Sequence, residues 1–186
     1  MSKIMNSKNY KKYYEEDIVK KLLQQYQYKN VHMVPKLEKI VINRGLGESL
    51  SNKKSIESTF NQFIAITGQK PILTKAKKAI SNFKIRKDQV IGCKVTLRGI
   101  RMYDFLSKLY NIVLPKIKDF RGLKQNAFDN DGNYTLGIKE DSIFPEIKSE
   151  IEVNRGFDIT FVTSTGTSKD EALTLLKLFG MPVRKG

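Results

Sequence analysis

Several residue types are scarce in this chain of 186 residues, and each scarcity removes a class of site. The chain has no tryptophan, one cysteine (Cys93) and one histidine (His32), so neither an internal disulfide nor a zinc site built from cysteine and histidine can form. No apolar run approaches the roughly 20 residues that cross a bilayer, and the polar first residues do not resemble a secretory signal. We therefore expect no membrane span, no metal and no cofactor.

Acidic residues are also few. Aspartate and glutamate number 19 against 34 lysines and arginines, which gives a net charge of +15 and a pI near 9.8. This balance favours a polyanionic partner, either a nucleic acid or an anionic membrane surface. The charge is uneven: residues 69–124 contain 15 basic and 3 acidic residues, whereas residues 125–158 contain 3 basic and 8 acidic residues.

Hydrophobic periodicity predicts helices and strands that alternate in short pieces. The predicted helices cover about 8–25, 102–113 and 169–179, with another marked by Ile56, Phe60, Phe63 and Ile64 between a cap at 51–52 and Gly68, and the predicted strands cover 37–43, 69–74, 90–98 and 157–164. Gly68, Pro115 and Gly180 are expected to end helices, and Ser51, Asn52 and Ser168 to begin them, Ser168 through a capping box with Glu171. We expect one α+β domain over residues 1–186, a two-layer sandwich whose mainly antiparallel sheet has helices on one face.

The strand at 90–98 gives the first candidate site. Its apolar residues alternate with Lys94, Thr96 and Arg98, and the strand at 37–43 places Lys39 and Asn43 on a comparable polar side. Such side chains readily contact phosphates and sugars. The alternative is the ordinary polar outer face of an antiparallel sheet, and the overall positive charge favours RNA binding.

A basic loop at about 74–88 gives the second candidate site. Residues 69–87 contain seven basic residues and no acid, interleaved with Ile80 and Phe83. A solvated charge run is the alternative interpretation, but a loop of this length inside a compact domain is generally functional or disordered. We expect an arm that contacts a polyanion.

Enzymatic motifs fail in detail. Gly45 and Gly47 form a Gly-x-Gly, but position 50 is leucine and no Walker A pattern exists, so neither nucleotide-binding fingerprint is present. Asp129 and Asp131 imitate the start of a calcium loop, yet Tyr134 occupies the position that requires glycine, which leaves a turn as the better interpretation. We assign no catalytic residue.

From about Tyr13 to Arg184 the chain resembles the ribosomal protein L5 family, the large-subunit proteins that bind 5S ribosomal RNA. The resemblance is carried by long motifs in order: Val34-Pro35-Lys36-Leu37-Glu38-Lys39-Ile40, Gly68-Gln69-Lys70-Pro71, Thr74-Lys75-Ala76-Lys77-Lys78, Ile91-Gly92-Cys93-Lys94-Val95-Thr96-Leu97-Arg98-Gly99, Asp119-Phe120-Arg121-Gly122, Gly132-Asn133-Tyr134 and Ile143-Phe144-Pro145-Glu146. Together they span nearly the whole chain.

The resemblance implies two RNA contacts. The outer face of the sheet would bind 5S rRNA through Asn43, Gln69, Thr96 and Arg98, to which the strand pattern adds Lys39 and Lys94. Arg44 stands where many family members have methionine or a similar residue, and we expect it to add a phosphate contact. The basic loop would contact the elbow of the P-site tRNA through Thr74, Lys75, Lys77, Lys78, Ser81 and Lys84.

The resemblance also implies partners and a location. Expected partners are large-subunit rRNA, other proteins of the central protuberance and the small-subunit head protein S-thirteen, which we hypothesise faces the acidic segment 125–158. The expected location is the ribosome of a plastid, a mitochondrion or a bacterium, with frequent lysine, isoleucine and asparagine favouring the plastid. Two other functions compete: a general nucleic-acid chaperone, which would bind many RNAs alike, and an RNA-processing enzyme, for which no constellation is found.

Overall fold

The computed structural model describes residues 7–47, 53–118, 120–147, 156–164 and 166–184. The helices in these ranges are α1 (Ser7–Tyr13), α2 (Val19–Tyr26), α3 (Lys53–Thr67), α4 (Gly99–Lys108) and α5 (Lys169–Leu178). The strands are β1 (Leu37–Gly45), β2 (Ile72–Lys75), β3 (Val90–Leu97), β4 (Tyr134–Ile138) and β5 (Phe157–Thr163). The predicted α+β class is confirmed.

The strands form one sheet in the order β2-β3-β1-β5-β4. β2 and β3 pair antiparallel, with Leu73 opposite Cys93, and the register shifts between Thr74 and Lys75. The period-two alternation predicted for β1 and β3 is present, because Ile40, Ile42 and Cys93 are fully buried.

The Cα positions form two compact units. The first unit contains Met1–Ile40, Arg98–Leu136 and Thr160–Gly186, and the second contains Val41–Leu97 and Gly137–Ile159. The expectation of a single domain stays a prediction. In the described ranges, no helix is long and apolar enough to cross a membrane.

In the first unit, α1 and α2 are joined by a π-helical turn at Tyr14–Ile18, so the helix predicted at 8–25 is confirmed as one helical segment. Its buried residues recur at helical spacing and include Ile18 and Leu22. The rings of Tyr10 and Tyr14 stack on Phe179, just after α5, with centroids 6.4 and 5.9 Å away. These contacts fix the amphipathic face of the segment.

Of the other two helices of the first unit, α4 ends differently from the prediction and α5 begins as predicted. α4 continues through a π-helical turn at Leu109–Val113 and a 3-10 turn at Leu114–Lys116, so Pro115 lies inside the last turn instead of ending the helix. Proline fits there because its fixed φ suits the start of a new turn. The capping box of Ser168 with Glu171 at the start of α5 is confirmed.

In the second unit, α3 packs against β3. Phe63 is fully buried, whereas Ile64, expected on the same apolar face, is partly exposed because the buried stripe passes through Phe63 and Ile66 instead. Gly68 follows α3 with φ +64°, and its amide donates to the carbonyl of Ile64, as expected of a helix C-terminus. The predicted cap at Ser51 and Asn52 lies outside the described residues.

Candidate nucleic-acid interface

The polar side of β1 and β3 lies partly open in the second unit. Asn43 and Lys94 are exposed and Thr96 is half-buried, while their neighbours Ile42 and Val95 are buried. Adjacent side chains of a strand point to opposite faces, so one face of each strand packs in the core and the other carries polar groups. Three of the predicted 5S rRNA residues therefore lie on an accessible surface.

Gln69 is held beside β3 by its own hydrogen bonds. Its side-chain Nε2 donates to the carbonyl of Thr96 at 2.9 Å, and its backbone amide donates to the Thr67 hydroxyl at 3.2 Å. The Thr67 hydroxyl that accepts this second bond itself donates to the carbonyl of Phe63 at 2.6 Å, at the end of α3. The amide group of Gln69 is thus oriented before any partner arrives.

Lys39 and Arg98 belong to the first unit. Lys39 is half-buried, and Arg98 is exposed at the N-terminal end of α4. The Arg98 Nη1 lies 3.5 Å from the carbonyl of Glu38, at the outer limit of a hydrogen bond, so the guanidinium retains donors for a phosphate.

Arg44 is not placed to contact RNA. Its side chain is only 1% exposed, and its Nη2 forms an ion pair with Asp141 Oδ2 at 2.8 Å. Nη1 donates to Gln62 Oε1 at 2.7 Å, and the guanidinium carbon lies 5.2 Å from the ring centres of Phe63 and Phe157. The expected phosphate contact is therefore corrected to a structural role, because every second residue of β1 faces inward and Arg44 follows Ile40 and Ile42 in that series.

The end of β2 and the basic residues after it form an extended hairpin, here defined as residues 74–89. The amide of Ala76 donates to the carbonyl of Gln89 at 2.8 Å, and Ile80 and Ile85 form a bridge with bonds of 2.9 and 3.1 Å. The amide of Lys84 then donates to the carbonyl of Ser81 at 2.9 Å and closes a tight turn. The segment predicted as a basic loop is a hairpin with backbone hydrogen bonds along its length.

The predicted tRNA residues divide into two groups on this hairpin. Thr74 lies within β2, half-buried and opposite Gly92, so it is a strand residue. The others are exposed: Lys75, Lys77, Lys78, Ser81 and Lys84. Phe83 lies at the tip of the hairpin and is 73% exposed. This exposure was not predicted, and the sequence signal for it was the position of Phe83 among lysines.

The acidic segment 125–158 is only partly available for a partner. The Asp129 carboxylate accepts from the amides of Asp131 and Asn133 at 3.1 and 2.7 Å, which confirms the predicted tight turn. Asp141 is buried with Arg44. Glu150 and Glu152 lie outside the described residues. The acids that remain exposed are Asp129, Asp131, Glu140, Glu146 and Asp158.

The titratable groups of the described ranges include one buried cysteine and no cluster of metal ligands. In those ranges no three of histidine, cysteine, aspartate and glutamate come together as metal ligands. Burial raises the pKa of the Cys93 thiol to about 11, and the positive charge of Arg44 lowers it only in part. The thiol is therefore a neutral, inaccessible group at ordinary pH.

Two family models match the chain. The model of the C-terminus of the ribosomal L5 family matches residues 90–183, and the model of ribosomal protein L5 matches residues 30–86. The matches cover β3 and the polar strand residues of both units.

Curated relatives agree with the family models over nearly the whole length. A large ribosomal subunit protein uL5 of Thermotoga maritima is 56% identical over 174 residues, which is 93% of this chain and 94% of the relative. The uL5c protein of Gracilaria tenuistipitata is 56% identical over 170 residues, and the uL5 protein of Caldanaerobacter subterraneus is 53% identical over 173 residues. These alignments cover 91 and 92% of this chain, and 94 and 96% of the relatives.

The relatives fit the expected location in the ribosome of a bacterium or of a plastid. On the family models and on these identities, the chain belongs to the ribosomal protein L5 family, whose members are structural, non-catalytic proteins of the large ribosomal subunit.

Proposed function

We propose that this chain anchors 5S rRNA in the central protuberance of the large subunit. The observation that carries the proposal is the open polar side of β1 and β3, where Asn43, Lys94 and Thr96 are accessible while the opposite side is buried. Gln69 joins them in the second unit. In the first unit, Lys39 and Arg98 are proposed as separate contacts with the same RNA. The donors match phosphate and ribose oxygens, which position a protein on RNA.

A second contact is proposed for the hairpin, which meets the elbow of the P-site tRNA. Support comes from its exposed lysines and from the absence of any acid between Gln69 and Lys87. Phosphate neutralisation by such lysines supplies affinity without sequence preference, which suits a site that accepts every tRNA in turn.

The third contact is the bridge to the small-subunit head. The exposed acids of segment 125–158 complement a basic partner such as S-thirteen, and Asp141 is excluded because its carboxylate is already paired. Complementary charge of this kind speeds encounter more than it adds affinity, as a transient bridge requires.

The proposal is tested by titrating the purified chain with 5S rRNA and with tRNA at two salt concentrations. Specific nucleic-acid complexes are commonly about 10³-fold or more tighter than non-specific ones, so 5S rRNA should be preferred by that order and should retain binding at the higher salt. Equal affinities that both vanish with salt would instead identify a general RNA chaperone.

Arg98→Ala tests the proposed contact of the first unit with 5S rRNA. We expect weaker 5S rRNA binding, by roughly tenfold for a charged hydrogen bond to phosphate, with an unchanged melting temperature because the side chain is exposed. Arg101→Ala removes the same charge from an exposed position of α4 and serves as the matched control. Equal effects of the two variants would remove Arg98 from the interface.

A further inference from the structure

The tip of the hairpin displays an aromatic ring that the protein itself does not cover. Phe83 is 73% exposed, more than any other large apolar residue that is exposed in the described ranges, and Ile80 beside it is 45% exposed. A phenylalanine left in water forgoes the free energy of burial, so contact with a partner is the natural use of an ordered exposed ring.

The backbone around Phe83 is fixed. The Ile80–Ile85 bridge and the bond from the Lys84 amide to the Ser81 carbonyl close the turn on both sides of the ring. Lys84 adopts φ +53°, a left-handed conformation that glycine and asparagine occupy more easily. A lysine therefore stands next to Phe83 at a position where glycine, which carries no charge, would be less strained.

The surroundings of the ring select its partner. All seven basic residues of 69–87 are exposed, and the one acid of the hairpin, Asp88, lies just beyond that stretch. The centre of a protein–protein interface is broad and poor in charged residues. The tip of the hairpin instead presents one phenylalanine ring and one isoleucine among cationic side chains. A ring within a positive rim matches nucleic acid, in which every base has a face that stacks on aromatics and every nucleotide carries a phosphate.

We propose that Phe83 stacks on an accessible nucleobase face of the RNA that the hairpin meets, while the surrounding lysines hold its phosphates. The inference rests on the proposed tRNA contact and deepens it, because it assigns recognition of a base surface to one residue. A stacked base gives affinity that does not depend on salt, in contrast to the phosphate contacts.

Because the chain has no tryptophan, the fluorescence of a single introduced tryptophan can report tRNA binding. Phe83→Trp introduces a single tryptophan at the tip, whose fluorescence should be quenched when tRNA binds because the indole stacks on a base. Ile112→Trp places the single tryptophan at a partly exposed position after α4 and should show no quenching. Affinity for tRNA should be retained in Phe83→Trp.

Loss of the ring provides the affinity test. Base–aromatic stacking predicts that Phe83→Ala weakens tRNA binding by about 5- to 140-fold without changing the slope of log affinity against log salt. The full chain is used, and circular dichroism verifies that the fold is kept. The triple variant Lys75→Ala, Lys77→Ala, Lys78→Ala is measured alongside it.

The outcomes separate the inference from the proposed function. If Phe83→Ala binds tRNA within about twofold of the original while the lysine variant is weakened, stacking is refuted and the charged contact stands. If neither variant is weakened, the hairpin does not meet tRNA and both fail. If the tryptophan at position 83 responds to vesicles of anionic phospholipid and not to tRNA, the ring enters a membrane surface and the inference is overturned.

Discussion

The pair of Arg44 and Asp141 is the most consequential detail at the scale of single residues. Both side chains are buried, and Gln62, Phe63 and Phe157 also contact the guanidinium. Removal of one partner from a buried ion pair typically costs about 3–5 kcal/mol. Within the second unit the pair ties the turn at Asp141–Ile143 to β1.

We predict that Asp141→Ala lowers the free energy of unfolding by about 3–5 kcal/mol in urea titrations. The double variant Arg44→Met, Asp141→Leu should regain most of that loss, because two apolar groups of similar size leave no charge unpaired. A loss below about 1 kcal/mol in Asp141→Ala would show that the pair does not hold the turn.

Cys93 gives a prediction that depends on pH. Burial raises the pKa of its thiol from 9.0 to about 11, so between these pH values the unfolded chain loses the thiol proton and the folded chain keeps it. Folding stability that depends on this group is therefore present below pH 9 and declines as pH rises towards 11.

The comparison that isolates this effect uses Cys93→Ala. The difference in unfolding free energy between the original chain and the variant should shrink as pH rises from 9 to about 11, since the variant has no thiol to ionise. Below that range, thiol reagents should label the native protein far more slowly than the unfolded one. A constant difference across the range would contradict the raised pKa.

At the scale of elements, β3 needs a glycine at position 92, where β1 and β2 come close to it. A Cβ on Gly92 would lie 2.6 Å from the Thr74 hydroxyl of β2 and 2.9 Å from the Arg44 carbonyl of β1. The second contact is with backbone, which cannot rotate away. The polar side of this strand therefore tolerates no side chain at position 92.

Gly92→Ala should destabilise the fold by about 1–3 kcal/mol, the usual cost of forcing extra volume into a packed site. Gly137→Ala in β4 is the matched control, because its nearest contact would be an ordinary 3.5 Å to Asp158 and its effect should be small. Thermal unfolding of both variants measures the difference. Adding Thr74→Ala to Gly92→Ala should restore only part of the lost stability, because the contact with the Arg44 carbonyl remains. Full restoration would mean that the clash involves the Thr74 side chain alone.

Much of the element pattern was predictable because it depends on neighbours in the chain. Period-two alternation located β1 and β3, helical spacing located the segment from α1 to α2, and Ser168 with Glu171 marked the start of α5. The extent of β2 and the continuation of α4 past Pro115 were missed, since tertiary packing decides where a short strand begins and whether a turn is added.

At the scale of the whole molecule, charge differs between the two surfaces that we propose bind separate RNAs. The polar side of β1 and β3 is mixed in character, whereas the hairpin contains lysines without acids between Gln69 and Lys87. Each lysine removed from a phosphate contact lowers the salt slope by about 0.7–0.9. We therefore expect the affinities of the two proposed contacts to respond differently to salt.

We predict that replacing Lys75, Lys77 and Lys78 with alanine weakens tRNA binding and lowers its salt slope by roughly 2–3, while 5S rRNA affinity stays nearly unchanged. The control replaces Lys12, Lys20 and Lys21, exposed residues of α1 and α2 that remove the same charge. Mobility-shift titrations at several salt concentrations give both quantities. A large loss of 5S rRNA affinity in the hairpin variant would mean that the two surfaces had been exchanged.

The sequence by itself determined the α+β class, most helices and strands, the family and the basic character of segment 74–88, because these follow from local periodicity, charge and motif order. Only the tertiary structure decided what individual side chains do. Arg44 was expected to contact a phosphate although the period of β1 directs it inward, and its partner Asp141 lies 97 residues away in the chain and could not be inferred. The exposure of Phe83 likewise depends on where the hairpin folds, because burial is a property of packing in three dimensions.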